Sequence, residues 1–159
     1  MAGTKLDSID LKILDAVQQD GRITKLALAE KVGLSATPAW LRLRKLEKAG
    51  IIRGYRAEID LRAVAPIANV LVEVTLASHK QADFDRFERA IRDIPAIVAC
   101  WSVGGGIDYM LKVATRDIDA YQRLVDRLLA SEIGIDRYFT YIVTRVVKDR
   151  PLSAQVIAE

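Results

Sequence analysis

Residues 22 to 56 read RITKLALAEKVGLSATPAWLRLRKLEKAGIIRGYR. The stretch holds two short amphipathic helical patterns meeting at Gly33-Leu34, the second densely basic. At ~100° per residue the second pattern separates into two faces. Ala39, Leu43 and Leu46 fall on one side and Thr37, Leu41, Arg44 and Lys48 on the other. The first set is expected to pack on the preceding helix, whose Leu26, Ala29 and Val32 recur at the i, i+3, i+6 spacing of a buried stripe. Ser35 stands where an N-cap belongs and Pro38 in the first turn, where a missing N–H costs nothing. The helix start is therefore well marked, and its N-terminus can point at a phosphate or a groove floor.

Outward Arg and Lys on a short helix are in themselves compatible with a solvated face. In a helix-turn-helix, however, the second helix lies in the major groove with its N-terminal residues at base edges. On that reading Thr37, Leu41 and Arg44 are the base-reading candidates, Arg44 for a bidentate contact with guanine and Leu41 for a thymine methyl group. Trp40 flanks this stripe and is either core edge or DNA contact. Arg42 lies near the core face and Lys45 on the other flank. Both suit backbone phosphates or local ion pairs, and phosphate contacts hold register without carrying sequence information. The partner implied is double-stranded DNA.

Upstream, Ile9 to Gln18 reads as a first helix, with Ile9, Ile13 and Ala16 or Val17 on one face, Asp7 or Ser8 as its cap and a stop at Asp20-Gly21. Downstream, Ala49-Gly50 stops the recognition helix, and Ile51 to Asp60 alternates as a strand pair or a single extended strand, the wing and exit strand. Residues 61–67, with Pro66 and no strong periodicity, read as a connection. Beyond them Asn69 to Leu76 reads as a strand and Ala82 to Ile94 as a helix. Ile97 to Val103 and Ile107 to Ala114 are strand-like around Gly104-Gly105-Gly106, residues 117–131 are helical, and Arg137 to Lys148 form a long last strand.

That order, β-α-β-β-α-β, is the split βαβ or ferredoxin-like arrangement, an antiparallel sheet with two helices on one face. The fold class is thus α+β, a winged helix-turn-helix followed by a ferredoxin-like domain. Val70, Val72 and Val74 alternate with Leu71, Glu73 and Thr75; Tyr138, Thr140, Ile142 and Thr144 alternate with Phe139, Tyr141, Val143 and Arg145. Apolar area on both faces is more than a monomer would leave exposed, which predicts that sheets pair face to face in a homodimer. A two-fold dimer also suits a pseudo-palindromic DNA site.

Charge is divided unevenly between the halves. Residues 1–56 carry 11 Lys+Arg and 6 Asp+Glu, a balance of +5, whereas residues 57–159 carry 13 and 15, a balance of −2. The basic half is the one with the helix pair, as phosphate neutralisation requires. A chain of 159 residues with 51% hydrophobic content has room for packed cores in one medium or two small domains. One cysteine, Cys100, rules out an intrachain disulfide framework, and the absence of an N-terminal apolar run of signal-peptide or membrane-spanning length makes a cytoplasmic protein with no membrane partner the default.

Several separated blocks carry a family resemblance in order. Leu6-Asp7-Ser8-Ile9-Asp10-Leu11-Lys12-Ile13-Leu14, Asp20-Gly21-Arg22-Ile23, Leu34-Ser35-Ala36-Thr37-Pro38 and Arg42-Leu43-Arg44-Lys45-Leu46-Glu47 resemble the Lrp/AsnC transcription regulators of bacteria and archaea. Ile52-Arg53-Gly54-Tyr55 resembles the family's hinge strand, and Val103 to Lys112 with Thr140-Tyr141-Ile142-Val143 resembles its effector domain. The resemblance implies a DNA-binding regulator responding to an amino acid or related small metabolite. It also implies dimers assembled into tetramers, octamers or larger discs, with effectors at contacts between dimers. The expected layout is 1–54 helix-turn-helix, 55–67 hinge strand and linker, 68–150 effector-binding and oligomerisation domain, and 151–159 tail, the last either dimer-stabilising or disordered. A ligand acts on such an assembly through differential affinity for two arrangements, relayed through Arg56 to Ile67.

Gly104-Gly105-Gly106 between two strands reads first as a hairpin needing positive φ and second as a phosphate cradle. It lacks the lysine and Ser/Thr ending of a P-loop, and no helix start follows it. By resemblance it is the family's effector loop, whose usual pattern is Gly-Asp-aromatic-Asp-Tyr; here it reads Gly105-Gly106-Ile107-Asp108-Tyr109. Gly106 and Ile107 replace the first acid and the aromatic, while Asp108 keeps the second acid and is the candidate partner for an effector amine. Free backbone N–H groups in the loop suit the carboxylate of an α-amino acid. The resemblance also implies Ser102, Val103, Gly104, Ile118, Tyr141, Ile142 and Val143 as pocket or pocket-rim positions, for which plain sheet core is the other reading.

Two alternatives come from other classes. Ferredoxin-like sheets also carry catalytic sites, but His79, the one histidine, falls in a surface connection, and Cys100 reads as a buried small hydrophobe in an apolar strand. No zinc-ligand spacing and no nucleophile-base pair is visible, so neither enzyme, metal nor cofactor is implied. An architectural protein that wraps DNA around an oligomer with little effector response keeps the helix-turn-helix and drops the switch.

Overall fold

The computed structural model describes residues 6–154 and 156. The chain divides into two compact units, one of the residues up to Glu58 together with those from Lys148 onward, the other Ile59–Val147. In the first unit three helices enclose one core. Helix α1 (Ser8–Gln19) opens on a reciprocal capping box, in which the Asp7 carboxylate accepts from the Asp10 amide at 2.8 Å and the Asp10 carboxylate from the Asp7 amide at 3.3 Å. Helix α2 (Lys25–Val32) is capped by the Thr24 hydroxyl, which accepts from the Ala27 amide at 3.2 Å. It ends at Gly33, whose φ of +71° is open to glycine at no steric cost. Helix α3 (Ala36–Lys48) follows within a tight turn, and Ile13, Leu28, Ala39, Leu43 and Leu46 close the core between the three.

One predicted core position is wrong. Leu26 is 70% exposed, and Leu28, fully buried, takes its place beside Ala29 and Val32. Each i+3 step drifts by ~60° around a helix, so Leu26 and Val32 lie ~120° apart, whereas Leu28, four residues before Val32, is only ~40° from it. The tail, set apart in the sequence reading, joins this unit through its described residues. The Leu152 carbonyl accepts from Gln18 Nε2 at 3.0 Å, the Ser153 hydroxyl donates to Asp15 at 2.9 Å, and Ala154 packs against the helical core.

Residues 51–60, expected as wing and exit strand, form no ladder. A strand needs a paired neighbour, and the described regular elements of this unit are helices with no strand edge to offer. Gly54 at φ +154° further interrupts the extended alternation.

The second unit opens with a 3-10 turn at Leu61–Ala63. It then runs β1 (Ala68–Leu76), α4 (Gln81–Arg92), β2 (Ile97–Ser102), β3 (Tyr109–Thr115), α5 (Ile118–Ala130) and β4 (Ile135–Ile142). The sheet order is β2-β3-β1-β4, every neighbouring pair antiparallel, which is the ferredoxin-like topology. Val70, Val72, Val74 and Leu76 project to one face and meet Phe87 and Ile91 of α4 and Tyr121, Leu124 and Leu128 of α5. The opposite face carries rows fixed by register: Tyr141, Leu71, Lys112 and Ala99 in one, Phe139, Glu73, Met110 and Trp101 in the next. Trp101 and Phe139 are each 50% exposed there.

The last strand starts and stops earlier than its sequence suggests, at Ile135 and Ile142 rather than 137 and 148. Its final rung is the Val143 amide donating to the Asn69 carbonyl at 2.9 Å, one residue short of the start of β1 at Ala68. Cys100 is likewise not buried. It lies on the edge strand of the sheet, opposite Leu111 in register, where the helices no longer cover the surface.

Candidate nucleic-acid interface and effector site

The outward face of α3 forms as its spacing dictates: Thr37, Pro38, Leu41, Arg44, Lys45 and Lys48 are exposed, while Ala39, Leu43 and Leu46 are buried. Ser35 is the N-cap, with extended φ and ψ, but its hydroxyl makes no capping bond. One reason is Pro38, which removes the third amide that such a hydroxyl serves. The exposed hydroxyl and the first amides of the helix remain available to a phosphate oxygen.

The remaining candidates are arranged by contacts that the sequence did not reveal. Trp40 is half-buried against the helical core and carries two cations on its ring, Lys25 Nζ at 4.5 Å and Arg44 Cζ at 5.8 Å from the centroid. Lys25 thus joins the basic surface from the start of α2. Arg42 takes the local ion-pair role, bridging Asp7 at 2.6 Å and Asp10 at 2.9 Å, so it clamps α3 onto the cap of α1. The Asp10 amide first and the Arg42 guanidinium second hold the Asp7 carboxyl below its ordinary value. Arg44 pairs with Glu47 at 2.7 Å, and the other oxygen of that carboxylate accepts from the Tyr55 hydroxyl at 2.9 Å. Burial first and Glu47 second push the Tyr55 phenol up to about 12. The i, i+3 spacing of Arg44 and Glu47 was a readable signal for the first of these contacts; nothing local announced Tyr55 or Lys25.

The effector candidates do not converge within one chain. Val103, Gly104, Gly105, Gly106 and Asp108 make the hairpin between β2 and β3, closed by the Val103 amide on the Asp108 carbonyl at 3.0 Å, with Ser102 at its base. Gly105 at φ +138° is the position that requires glycine. This hairpin sits at the Val74 end of β1, whose carbonyl accepts from the Asp108 amide. Ile142 and Val143 sit at the Asn69 end, Tyr141 pairs with Leu71 nearby, and Ile118 opens α5 just past the last residue of β3, itself paired with Ala68. From Asn69 to Val74 at ~3.3 Å per residue is on the order of 17 Å. The candidates therefore form two clusters at opposite ends of the sheet.

Asp108 is turned back into its own chain. Its Oδ2 accepts from the Leu76 amide at 2.8 Å, and His79 Nε2 lies 3.1 Å from Oδ1. The carboxylate ties the hairpin to the connection between β1 and α4. His79 lies in that surface connection, but its pairing with Asp108, from 29 residues away, was not legible. Partial desolvation first and the Glu88 carboxylate second push the Cys100 thiol up to about 11, which disfavours the thiolate. Among the described residues no group of three or more His, Cys, Asp or Glu is placed to hold a metal ion, and no helix is long and apolar enough to cross a membrane.

Comparison with known proteins gives both halves a relative. A family model for the Lrp/AsnC ligand binding domain matches residues 69–153, and one for a winged helix-turn-helix DNA-binding domain matches residues 6–53. The transcriptional regulatory protein DoeX of Halomonas elongata is 49% identical over 144 residues, covering 91% of each chain. An AsnC family transcriptional regulator from Agrobacterium tumefaciens superposes with a TM-score of 0.88 at 33% identity, over 96% of this chain and 99% of that one. A transcriptional regulator from Neisseria meningitidis, crystallised with L-methionine, superposes with a TM-score of 0.85 at 31% identity, over 92% and 94%.

Proposed function

The chain belongs to the Lrp/AsnC family of DNA-binding transcription regulators with a ligand-binding domain, and from that premise we propose that it binds promoter DNA sequence-specifically in the cytoplasm and responds to an amino acid or related small metabolite. It is not an enzyme; its relatives are regulators. The observation that carries the DNA-reading half is the clean division of α3 into a buried face and an exposed basic face. Thr37, Leu41 and Arg44 face base edges, while Ser35, Lys25, Lys45 and Lys48 hold phosphates. Trp40 keeps Lys25 and Arg44 in place, and Arg42 is a positioning residue.

The apolar rows of the open sheet face support a homodimer, and the two separated effector clusters support further assembly to a tetramer or octamer. Only a second copy can bring the hairpin of one sheet near the Ile142-Val143 end of another. A second reading, architectural DNA binding with little response, is favoured by one observation: the loop keeps only Asp108 of the two acids, and that carboxylate already has partners.

Arg44→Ala tests the DNA assignment. It should weaken specific binding by ~1–3 kcal/mol, on the order of ten- to hundredfold, while leaving binding to an unrelated duplex and the assembly size unchanged. Lys48→Ala should instead weaken both duplexes alike and reduce the salt dependence by about one phosphate contact. Unchanged operator affinity in Arg44→Ala contradicts its role.

A further inference from the structure

A groove between α4 and the edge strand β2 has a volume of about 370 Å³, within the ~300–1,000 Å³ typical of small-molecule sites. Ile91 and Ile97 make its apolar wall. Two opposite charges stand in it one helical turn apart, Glu88 and Arg92. A glutamate four residues before an arginine is the favourable order for an intrahelical ion pair, yet these two do not pair. Glu88 Oε1 instead accepts from the Tyr109 hydroxyl at 2.8 Å, which fixes the carboxylate and leaves its second oxygen open. Among the described residues Arg92 has no hydrogen-bond or ion-pair partner, nor has the Ser102 hydroxyl at the end of β2.

We propose that this groove is a binding site, complete within one chain, for a free α-amino acid with an apolar side chain. The ammonium group pairs with Glu88, the carboxylate takes the planar donors of Arg92, and the side chain lies along Ile91 and Ile97. A zwitterion whose ammonium and carboxylate share one carbon offers a partner to both residues at once. The proposal rests on the reading of this domain as an amino-acid sensor. Because Ser102 leads directly into the hairpin of residues 103–108, an occupant of the groove bears on one of the two effector clusters, and occupancy is coupled to hairpin position.

Calorimetric titration of the full chain separately with L-leucine, L-methionine, L-alanine and L-lysine tests this. Two further probes, 4-methylpentanoate and 3-methylbutylamine, are leucine without its ammonium and without its carboxylate. Leucine or methionine should bind, with L-lysine and both truncated probes at least about tenfold weaker. Glu88→Gln and Arg92→Gln should each weaken the bound amino acid by at least about tenfold, whereas Arg89→Gln, exposed on the same helix outside the groove, should not. Direct contact has a further signature: Arg92→Gln leaves 3-methylbutylamine no weaker, and Glu88→Gln leaves 4-methylpentanoate no weaker. Undiminished binding in both glutamine variants, with loss in Asp108→Ala, overturns the groove and leaves the sensor reading standing. No binding of any amino acid by the unaltered chain overturns both.

Discussion

In the N-terminal unit the candidate DNA contacts lie on one helix and its cap, joined only by Lys25 from the helix before, so their placement follows from a single turn angle; in the C-terminal unit the candidate effector contacts come from a hairpin, a helix start and a last strand, and strand register puts them at opposite ends of one sheet. The first site is complete in one chain. The second, drawn from those residues, is completed only when copies meet. Oligomerisation is then the condition on which joining those two clusters depends, while the recognition helix needs a partner only to double its contacts.

The sharpest way to break that contrast is to stop copies from meeting. Trp101→Glu combined with Phe139→Glu puts two charges on the open sheet face, and sedimentation should show a monomer. Operator affinity should fall by about 10²–10⁴ through loss of the paired helix, while the far-UV circular dichroism of the domain stays unchanged. An assembly of unchanged size would show that copies do not meet on this face.

Within the first unit, stability should follow the observed core rather than the predicted stripe. Leu43→Ala should cost ~2–5 kcal/mol in denaturant unfolding, and Leu26→Ala less than about 0.5 kcal/mol. Equal costs would restore Leu26 to the core.

The smallest effect is one of pH. Asp7 has its folded carboxyl below the ordinary 3.8, held by the Asp10 amide first and Arg42 second. It therefore contributes stability fully above that ordinary value, and the contribution is lost as pH falls through the folded one. Thermal midpoints followed downward from pH 6 should fall less steeply in Asp7→Asn than in the unaltered chain. The slope should persist in part, because Asp117, the cap of α5, is shifted in the same direction. Identical slopes would mean that the cap bonds do not favour the carboxylate.

The contrast also explains what the sequence disclosed. The exposed stripe from Thr37 to Lys48, the Asp7 cap and the βαββαβ order are local, written in spacings of three, four and two residues. Leu26 was misread because an i+3 series drifts around the helix. Strand ends were misread because they depend on where a distant partner nears its own end, as β1 does at Asn69. The strand expected over residues 51–60 is absent for the same reason, an alternating segment without an edge beside it. Lys25 over Trp40, Tyr55 on Glu47 and His79 on Asp108 are meetings of side chains brought together by packing, and no periodicity encodes them. The resemblance supplied residues at both ends of the sheet without saying that they were apart.

Fluorescence anisotropy with the protein's own upstream DNA and an unrelated duplex, at two salt concentrations, with and without a pooled amino-acid set, tests the central claim most directly. The account predicts preferential binding to the upstream DNA, weakening with salt on both duplexes, and a shift in that preference when the pool is present. Equal, ligand-blind affinity for the two duplexes would contradict it and establish the architectural reading instead.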